Sequence, residues 1–215
     1  MPIDKKTIIN AVIDAKKNTQ KRNFNQSIDL IINLIGIDLK KPENRINELI
    51  ELPYPPRKKT EIVVFANSEI ALRAKDAGVE EVIGKEELDR LSNDKKSAKN
   101  LVRKTDYFIA EASLMPLVGR VFGPILGPRG KMPTPTPPTA DINSVVKKHR
   151  RMTRVRVRDQ LNSQCNVGTE DMPDNYVAEN IQTIITRLEE TLPKGSKNIG
   201  NVFVKTTMGP LTKIR

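Results

Sequence analysis

Two segments of the sequence carry side chains that could bind a polyanion. The first, residues 147–158, holds seven basic side chains and no acidic one. Within it Arg154, Arg156 and Arg158 alternate with two valines, so in a strand the three arginines would share one face at a spacing of about 6.6 Å. A row with that spacing can follow a phosphate backbone. The same row could instead be an outward face whose arginines pair with carboxylates on neighbouring strands.

The second segment combines hydroxyls, a thioether and a glycine. It consists of Lys205, Thr206, Thr207, Met208, Gly209 and Pro210. Glycine permits close backbone approach, hydroxyls can contact ribose or phosphate oxygens, and methionine offers an adaptable apolar surface to a base or sugar. Chemistry alone leaves a second interpretation open, because any strand that leaves a sheet can end in such a turn.

Features that enzymes require are missing from the sequence. Residues 123–131 contain glycine, proline and lysine, but a phosphate-binding loop would need glycine in place of Ile125 and serine or threonine in place of Met132. The one histidine, His149, lies among basic residues that suit a phosphate contact or a solvated helix end better than a general base. With Cys165 as the one cysteine, a zinc site is disfavoured. We therefore expect no catalytic residue, no metal and no cofactor.

The outer portions of the chain contain both helices and alternating strands. The residues from Asp4 to Ala15 predict an amphipathic helix, and Ser27–Ile35 predicts a strand whose even-numbered side chains are buried. Near the other end, the alternating arginines predict a strand. A long helix that begins near Pro173 and a final strand at Asn201–Thr207 follow it.

In the middle portion, strands and helices alternate between the proline-rich stretch at 53–58 and Thr153. Strands are predicted at Glu61–Ala66 and Tyr107–Ala110, and helices after the caps Ser68 and Asp141, around 86–91 and 97–103, and from about Ser113. Such alternation favours a small open α/β sheet. We therefore interpret the chain as a split α+β domain, residues 1–58 and 154–215, into which an α/β domain of residues 59–153 is inserted.

Charge and hydropathy narrow the class of partner. The chain has 37 Lys+Arg and 26 Asp+Glu, a net charge of +11, which favours a polyanionic partner, although many basic proteins bind none. The apolar run at 30–37 is too short to span a bilayer, and the N-terminus lacks a secretory pattern. We expect a cytoplasmic protein with no membrane partner. A DNA-binding repressor is a further alternative, but it lacks a helix-turn-helix, zinc or zipper signature.

Three segments together resemble the signatures of the ribosomal protein L-one family, its archaeal members in particular. They are Arg22–Ser27, Gly119–Pro133 and Val204–Pro210, and the likeness covers essentially the whole chain. The resemblance implies a split α+β domain, with helices packed on an antiparallel sheet, and an inserted α/β Rossmann-like domain. It also implies a structural constituent of the large ribosomal subunit that is not an enzyme and is monomeric when free. A nucleotide-dependent enzyme housed in the inserted domain stays the alternative from another class.

The resemblance further implies how such a protein acts. It would bind large-subunit rRNA at the mobile stalk near the tRNA exit site and assist the release of deacylated tRNA there. It would also repress its own synthesis by binding a similar RNA structure in the leader or coding region of its own mRNA.

Carried over residue by residue, the resemblance places the RNA contacts outside the inserted domain. They are Phe24, Ser27, Gly168 and the segment from Lys205 through Thr206, Thr207, Met208 and Gly209 to Pro210, joined by Arg154 and Arg156 of the basic row. Many family members have histidine and proline shortly before the Val-Gly pair, where this chain has Gln164 and Asn166, so a contact there is not implied.

The signature inside the inserted domain has a mainly structural interpretation. We expect residues 123–131 to form a loop that its prolines fix and its glycines turn. Arg129 and Lys131 would then remain available for secondary contacts with RNA or tRNA.

Overall fold

The structure, a computed structural model, describes residues 4–39, 41, 44–57 and 59–215. The helices are α1 (Lys5–Lys17), α2 (Ser68–Asp76), α3 (Lys85–Asn93), α4 (Lys95–Lys104), α5 (Met115–Arg129), α6 (Ile142–Arg150) and α7 (Asp174–Thr191). The strands are β1 (Ser27–Leu34), β2 (Ile46–Glu51), β3 (Ile62–Phe65), β4 (Glu81–Ile83), β5 (Tyr107–Glu111), β6 (Thr134–Thr136), β7 (Met152–Val157), β8 (Asn162–Thr169), β9 (Ile199–Thr206) and β10 (Thr212–Lys213).

The chain divides into two compact units. One contains the described residues up to Arg57 together with Arg151–Arg215, and the other contains residues 59–150. The first join that we predicted, near Lys58, lies outside the described residues. The second falls between Arg150 and Arg151, three residues before the predicted one, because the chain from Arg151 onward already pairs with the first unit: the Leu52 amide donates to the Arg151 carbonyl (3.0 Å).

The first unit contains a four-stranded sheet in the order β10-β9-β1-β8, with antiparallel pairing throughout. In β1 the predicted alternation is confirmed, since Ile28, Leu30, Ile32 and Leu34 are all buried. These side chains share one core with the buried faces of α1 and α7. The antiparallel pair β2–β7 adds Val155 and Val157 to the same core. The sheet therefore has one face packed against helices, and it positions the ends of β1, β8 and β9 side by side.

The second unit contains a parallel sheet in the order β4-β3-β5-β6. Alternate residues of β3 enter two separate cores: Val63 and Phe65 pack with α3, α4 and α5, whereas Ile62 and Val64 pack with α2 and α6. Helices thus cover both faces, which explains why β3 is apolar at every position. The chain as a whole is a mixed α/β protein.

The glycine-proline segment is helical, so our expectation of a loop at 123–131 is wrong. Residues up to Arg129 belong to α5, because Val118, Phe122 and Leu126 recur every four residues and are buried in the core. The helix ends at Gly130, which adopts φ 66°, and the Lys131 amide donates to the Leu126 carbonyl (3.0 Å). This is the usual glycine termination of a helix.

Two predicted helix caps have different outcomes. The Asp141 carboxylate accepts hydrogen bonds from the amides of Asn143 and Ser144 at the start of α6, at 3.1 and 3.3 Å, as predicted. At α2 the prediction is off by one residue: the helix begins at Ser68, and Asn67 occupies the N-cap position with extended backbone angles.

Candidate nucleic-acid interface

Two large apolar side chains are exposed where β1 begins and β9 ends. Phe24 precedes β1 and is 52% exposed, and Met208 follows β9 and is 58% exposed. The antiparallel pairing of the two strands, with Ile28 opposite Thr206, brings their flanking segments together although 182 residues separate them in sequence. We call the surface formed by residues 20–27 and 206–210 the strand-end surface. Exposed apolar side chains of this size, beside basic ones, are available for contact with bases and sugars.

Gln26 holds the two segments of the strand-end surface together. Its side chain is 0% exposed; its Oε1 accepts a hydrogen bond from the Met208 amide (3.1 Å), and its Nε2 donates to the Gln20 carbonyl (3.2 Å). The Gln26 carbonyl also accepts from the Glu170 amide (2.9 Å). The side-chain carboxamide and backbone carbonyl of this one residue therefore link the Phe24 segment, the Met208 segment and the end of β8.

Gln26 was not among the predicted site residues, although the sequence contains a signal for it. The buried positions of β1 are the even-numbered ones from Ile28 to Leu34, and continuing that period backward by two residues reaches Gln26. A glutamine at a buried strand position needs hydrogen-bond partners. The period therefore marks it as an anchor, even though it cannot identify the partners.

A second anchor lies behind the turn at residues 206–209. The hydroxyls of Thr19 and Thr206 are 2.6 Å apart, and because the Thr19 hydroxyl donates to the Ala15 carbonyl, the Thr206 hydroxyl donates to Thr19. A Cβ on Gly209 would lie closer than van der Waals contact to both hydroxyl oxygens. Glycine is thus required at position 209 so that the turn can pack onto α1.

The structure separates the expected RNA contacts into exposed and buried groups. Ser27, Thr207, Met208 and Pro210 are exposed or half-buried, as are Phe24, Lys205 and Gly209. Thr206 and Gly168 are buried, so they do not present the exposed surface that we expected, and their contact with RNA stays a prediction. The Thr206 hydroxyl is hydrogen-bonded to the Thr19 hydroxyl. A Cβ on Gly168 would lie 3.1 Å from Met172 Sδ and from Val177 Cγ2. Both residues shape the surface from behind.

Thr207 extends the strand ladder past its end. Its amide donates to the Ser27 carbonyl (3.0 Å), and its hydroxyl accepts from the Ser27 amide (3.1 Å). One threonine therefore satisfies both backbone groups of Ser27, which fixes the first residue of β1 relative to Met208. The Thr207 side chain remains exposed at the same time.

The strand-end surface lies in a basic part of the chain. Residues 15–28 contain four basic side chains and no acidic one, and Lys17, Lys21 and Arg22 are exposed. On β9, Lys205 is half-buried and lies opposite Asp29 of β1. The amide of Asn166, one of the two positions that depart from the family pattern, donates to Asp29 Oδ1 (3.2 Å) and to the Ile28 and Gly168 carbonyls (both 3.3 Å). Asn166 thus supports the strand ends.

The arginine row is a strand face, but it lies on a different sheet. Val155 and Val157 are buried while Arg154 and Arg156 are half-buried, so the predicted alternation is confirmed. The two arginines lie opposite Leu49 and Asn47 of β2, and each already interacts with a neighbouring group of the chain. Arg158 follows the strand, and its Nε lies 3.8 Å from Asp159 Oδ1.

Two expectations for the second unit are wrong. Lys131 is not free: its ammonium group donates to the carbonyls of Thr105 (2.6 Å) and Val102 (3.2 Å) at the end of α4. His149 is neither solvated nor placed to contact phosphate, since it is 3% exposed and its ring hydrogen-bonds to the Val145 carbonyl and the Thr134 hydroxyl. Burial lowers the pKa of His149, so the ring is neutral at pH 7. Arg129 is exposed.

Other reactive groups do not assemble into a site in the part of the chain that the structure describes. No group of three His, Cys, Asp or Glu side chains could hold a metal ion there. Cys165 is buried in β8, and burial raises the pKa of its thiol to about 12, which makes it unreactive. Within the same residues, no helix combines the length and apolar character needed to cross a membrane.

Comparison with known proteins identifies relatives over almost the entire chain. A family model described as the Ribosomal protein L1p/L10e family matches residues 15–210. A protein of Methanobrevibacter smithii named large ribosomal subunit protein uL1 is 44% identical over 207 residues, 96% of this chain and 98% of that protein. Proteins of the same name from Haloferax volcanii (46% over 208 residues, 97% and 98%) and Archaeoglobus fulgidus (41% over 214 residues, 100% and 100%) are similar as well.

Both comparisons agree with the resemblance that the three sequence segments indicated, and the relatives are archaeal. Proteins of this family have a structural role in the ribosome and are not enzymes, which removes the nucleotide-dependent enzyme from the alternatives. The chain belongs to the Ribosomal protein L1p/L10e family.

Proposed function

We propose that the chain is a constituent of the large ribosomal subunit that binds large-subunit rRNA through the strand-end surface. The rRNA site is the mobile stalk near the tRNA exit site, and the protein acts in the cytoplasm, bound to ribosomes and monomeric when free. The family resemblance supports the location. The single observation that carries the proposed surface is the pair of exposed side chains, Phe24 and Met208, that Gln26 holds together, with the exposed Lys21 and Arg22 close by in the sequence.

The proposed contacts follow the chemistry of the exposed residues. Phe24 and Met208 would pack against bases or sugars, the Thr207 hydroxyl and the Ser27 side chain would meet ribose or phosphate oxygens, and Lys205 would neutralise phosphate. Arg154 and Arg156 are proposed as more distant phosphate contacts. Such a surface reads the shape of folded RNA through few base contacts, which suits a junction of helices.

Binding to full-length large-subunit rRNA, with footprinting, tests this function. Duplex DNA in excess serves as the competitor. We expect protection confined to the stalk region and little competition by DNA, because a basic protein without shape recognition would bind both polymers. Equal affinity for the two polymers would contradict the proposal and would favour a general nucleic-acid binder, including the DNA-binding repressor.

We assign this binding to the first unit, which we propose is an independently folding domain, with the second unit as an inserted Rossmann-like domain. The Leu52 amide donates to the Arg151 carbonyl and Glu51 pairs with Met152, so the segments of the first unit that lead into and out of the insertion are already paired. Replacing residues 59–150 by a short Gly/Ser linker then closes only a small gap. The shortened chain should fold and keep its preference for rRNA. A folded product without that preference would place the site elsewhere.

The family resemblance implies two related roles, repression of the chain's own mRNA and assistance of tRNA release. A similar RNA structure in the leader or coding region of its own mRNA would compete for the residues of the strand-end surface, so Met208→Asp should relieve repression of a reporter gene that carries this mRNA segment.

Assistance of deacylated tRNA release would use secondary contacts such as Arg129 of α5. Slower tRNA release from ribosomes carrying Arg129→Ala, measured by fluorescence, would support that role, and an unchanged rate would remove Arg129 from it.

A further inference from the structure

One helix of the second unit has a strongly basic outer face. Helix α4 (Lys95–Lys104) contains five basic side chains and no acidic one, and all five are exposed. Lys95, Lys99 and Arg103 follow one another at intervals of four residues and therefore share one face, about 6 Å apart along the axis. Helix α3 of the same unit carries three acidic residues beside its basic ones, so the charge of α4 is a local feature.

The charged groups of these three side chains have no binding partner among the described residues. In the part of the chain that the structure describes, neither the ammonium groups of Lys95 and Lys99 nor the guanidinium of Arg103 makes a hydrogen bond or an ion pair. Helix α6 offers a contrast, because the guanidinium of its Arg150 donates to the Gly78 carbonyl (2.6 Å) and its His149 is buried. The cations of α4 point to a partner outside the chain.

The end of α4 strengthens the positive potential. The carboxyl end of a helix carries unpaired carbonyls and a partial negative charge, which would offset nearby cations. Here the ammonium group of Lys131 donates to the Val102 and Thr105 carbonyls and so neutralises that end. The basic face thus continues from Lys95 to the last turn without a negative end.

The apolar side of α4 distinguishes between two kinds of polyanionic partner, a membrane of anionic lipids and a nucleic acid. Ala98 and Val102 are buried in the core of the second unit, so the helix has no apolar face left to insert between lipids. An interfacial membrane helix needs such a face, whereas contact with phosphates of a nucleic acid needs only cations at suitable spacing.

We propose that the outer face of α4 is a second RNA-binding surface, which contacts the phosphate backbone without reading sequence. The inference rests on the proposed function for the identity of the polyanion. The strand-end surface would select the site, and α4 would add electrostatic affinity for other phosphates of the same rRNA. Lys95, Lys99 and Arg103 are the residues that carry this contact.

The test compares two variants of the full chain that lose the same charge. One replaces Lys95, Lys99 and Arg103 by glutamine, and the other replaces three exposed lysines scattered over the second unit. The control positions are Lys59, Lys75 and Lys85. Affinity for a transcript of large-subunit rRNA is measured over a range of salt concentrations. Each neutralised phosphate contributes about 0.7 to the slope of log affinity against log salt for single strands, so we expect the slope of the α4 variant to become shallower by about 2 while the control changes by less than 1.

Each outcome supports or overturns the inference. A shallower slope for the α4 variant alone, with the stalk footprint retained, supports it. Equal slopes for the two variants would show an effect of net charge alone, and an unchanged slope would show that α4 touches no phosphate; both overturn it. Binding of the wild-type chain to phosphatidylserine vesicles that the α4 variant loses, with the RNA slope unchanged, would replace RNA by membrane and overturn it too. If the wild-type chain fails to prefer rRNA over duplex DNA, the proposed function fails, whereas the α4 slope can still be measured on either polymer.

Discussion

Replacing Gln26 by alanine should weaken RNA binding without a direct loss of any RNA contact. The buried carboxamide makes two hydrogen bonds, to the Met208 amide and the Gln20 carbonyl, each with a net value of about 1 kcal/mol. Loss of the buried Cγ methylene group adds a further term of about 1 kcal/mol. We therefore expect the free energy of unfolding to fall by about 3 kcal/mol.

The effect on affinity follows from the freedom that the Met208 segment regains. Fixing the backbone of one residue again on binding costs about 1–2 kcal/mol, and every 1.4 kcal/mol changes affinity tenfold. If one or two residues of the turn lose their fixed conformation, affinity for rRNA falls about ten- to hundredfold. Gln26→Glu keeps an acceptor for the Met208 amide, but it loses the donor to the Gln20 carbonyl and buries a carboxylate against that carbonyl, so it should not restore the affinity.

Fluorescence anisotropy with labelled stalk RNA measures the affinity, and urea denaturation measures the stability of the same samples. Gln182→Ala is the matched control, because Gln182 is exposed on α7. Wild-type affinity in a folded Gln26→Ala protein of reduced stability would refute our reasoning. It would mean that the carboxamide stabilises the unit without positioning Met208.

Three further predictions address the site and the second unit. Met208→Asp should abolish preferential rRNA binding yet change the free energy of unfolding by less than about 0.5 kcal/mol; the same change at the exposed Leu72 of α2 is the control, and equal binding by both variants would contradict it. Gly209→Ala should destabilise the first unit by about 1–3 kcal/mol through overpacking, whereas Gly119→Ala, where a Cβ meets open space, should stabilise the second unit by about 0.5–1 kcal/mol; urea denaturation separates the two signs. Because burial lowers the pKa of His149, the unfolded chain takes up its proton at higher pH than the folded chain, so the free energy of unfolding should fall as pH drops from 7.5 to 5.5. The same pH dependence in His149→Phe would rule out this assignment.

Local patterns in the sequence predicted the elements that carry a clear period. The alternation in β1 and β7 and the apolar face of α7 were sufficient, because those side chains enter the core directly. Strand β8 was not predicted, since Asn162, Gln164 and Asn166 make it polar and it exists through its pairing with β1. The second half of helix α5, from residue 123, was mistaken for a loop because Pro124 and Pro128 lie inside it, and only tertiary burial of its apolar face compensates for them.

The sequence also predicted only part of the candidate site. The resemblance named Phe24 and Met208, and the structure leaves both exposed. The alternation of Val202 and Val204 extends to Thr206 and indicates that it is buried. Its partner Thr19 lies nearly the whole chain away, so no local pattern could reveal that contact. For Lys131 the sequence was misleading in the opposite way. Its ammonium group looked available, but it donates to the Thr105 carbonyl at the end of α4.

The strand-end surface can form only after both of its halves have been synthesised, and the two halves lie far apart in the sequence. Met208 and Gln26 are 182 residues apart in sequence, and synthesis proceeds at about 5–20 residues per second. For the roughly ten seconds or more that this interval lasts, a nascent chain exposes Phe24 without its partner, and β1 lacks the β9 neighbour that lies beside it in the sheet. An unfinished chain therefore lacks the assembled strand-end surface.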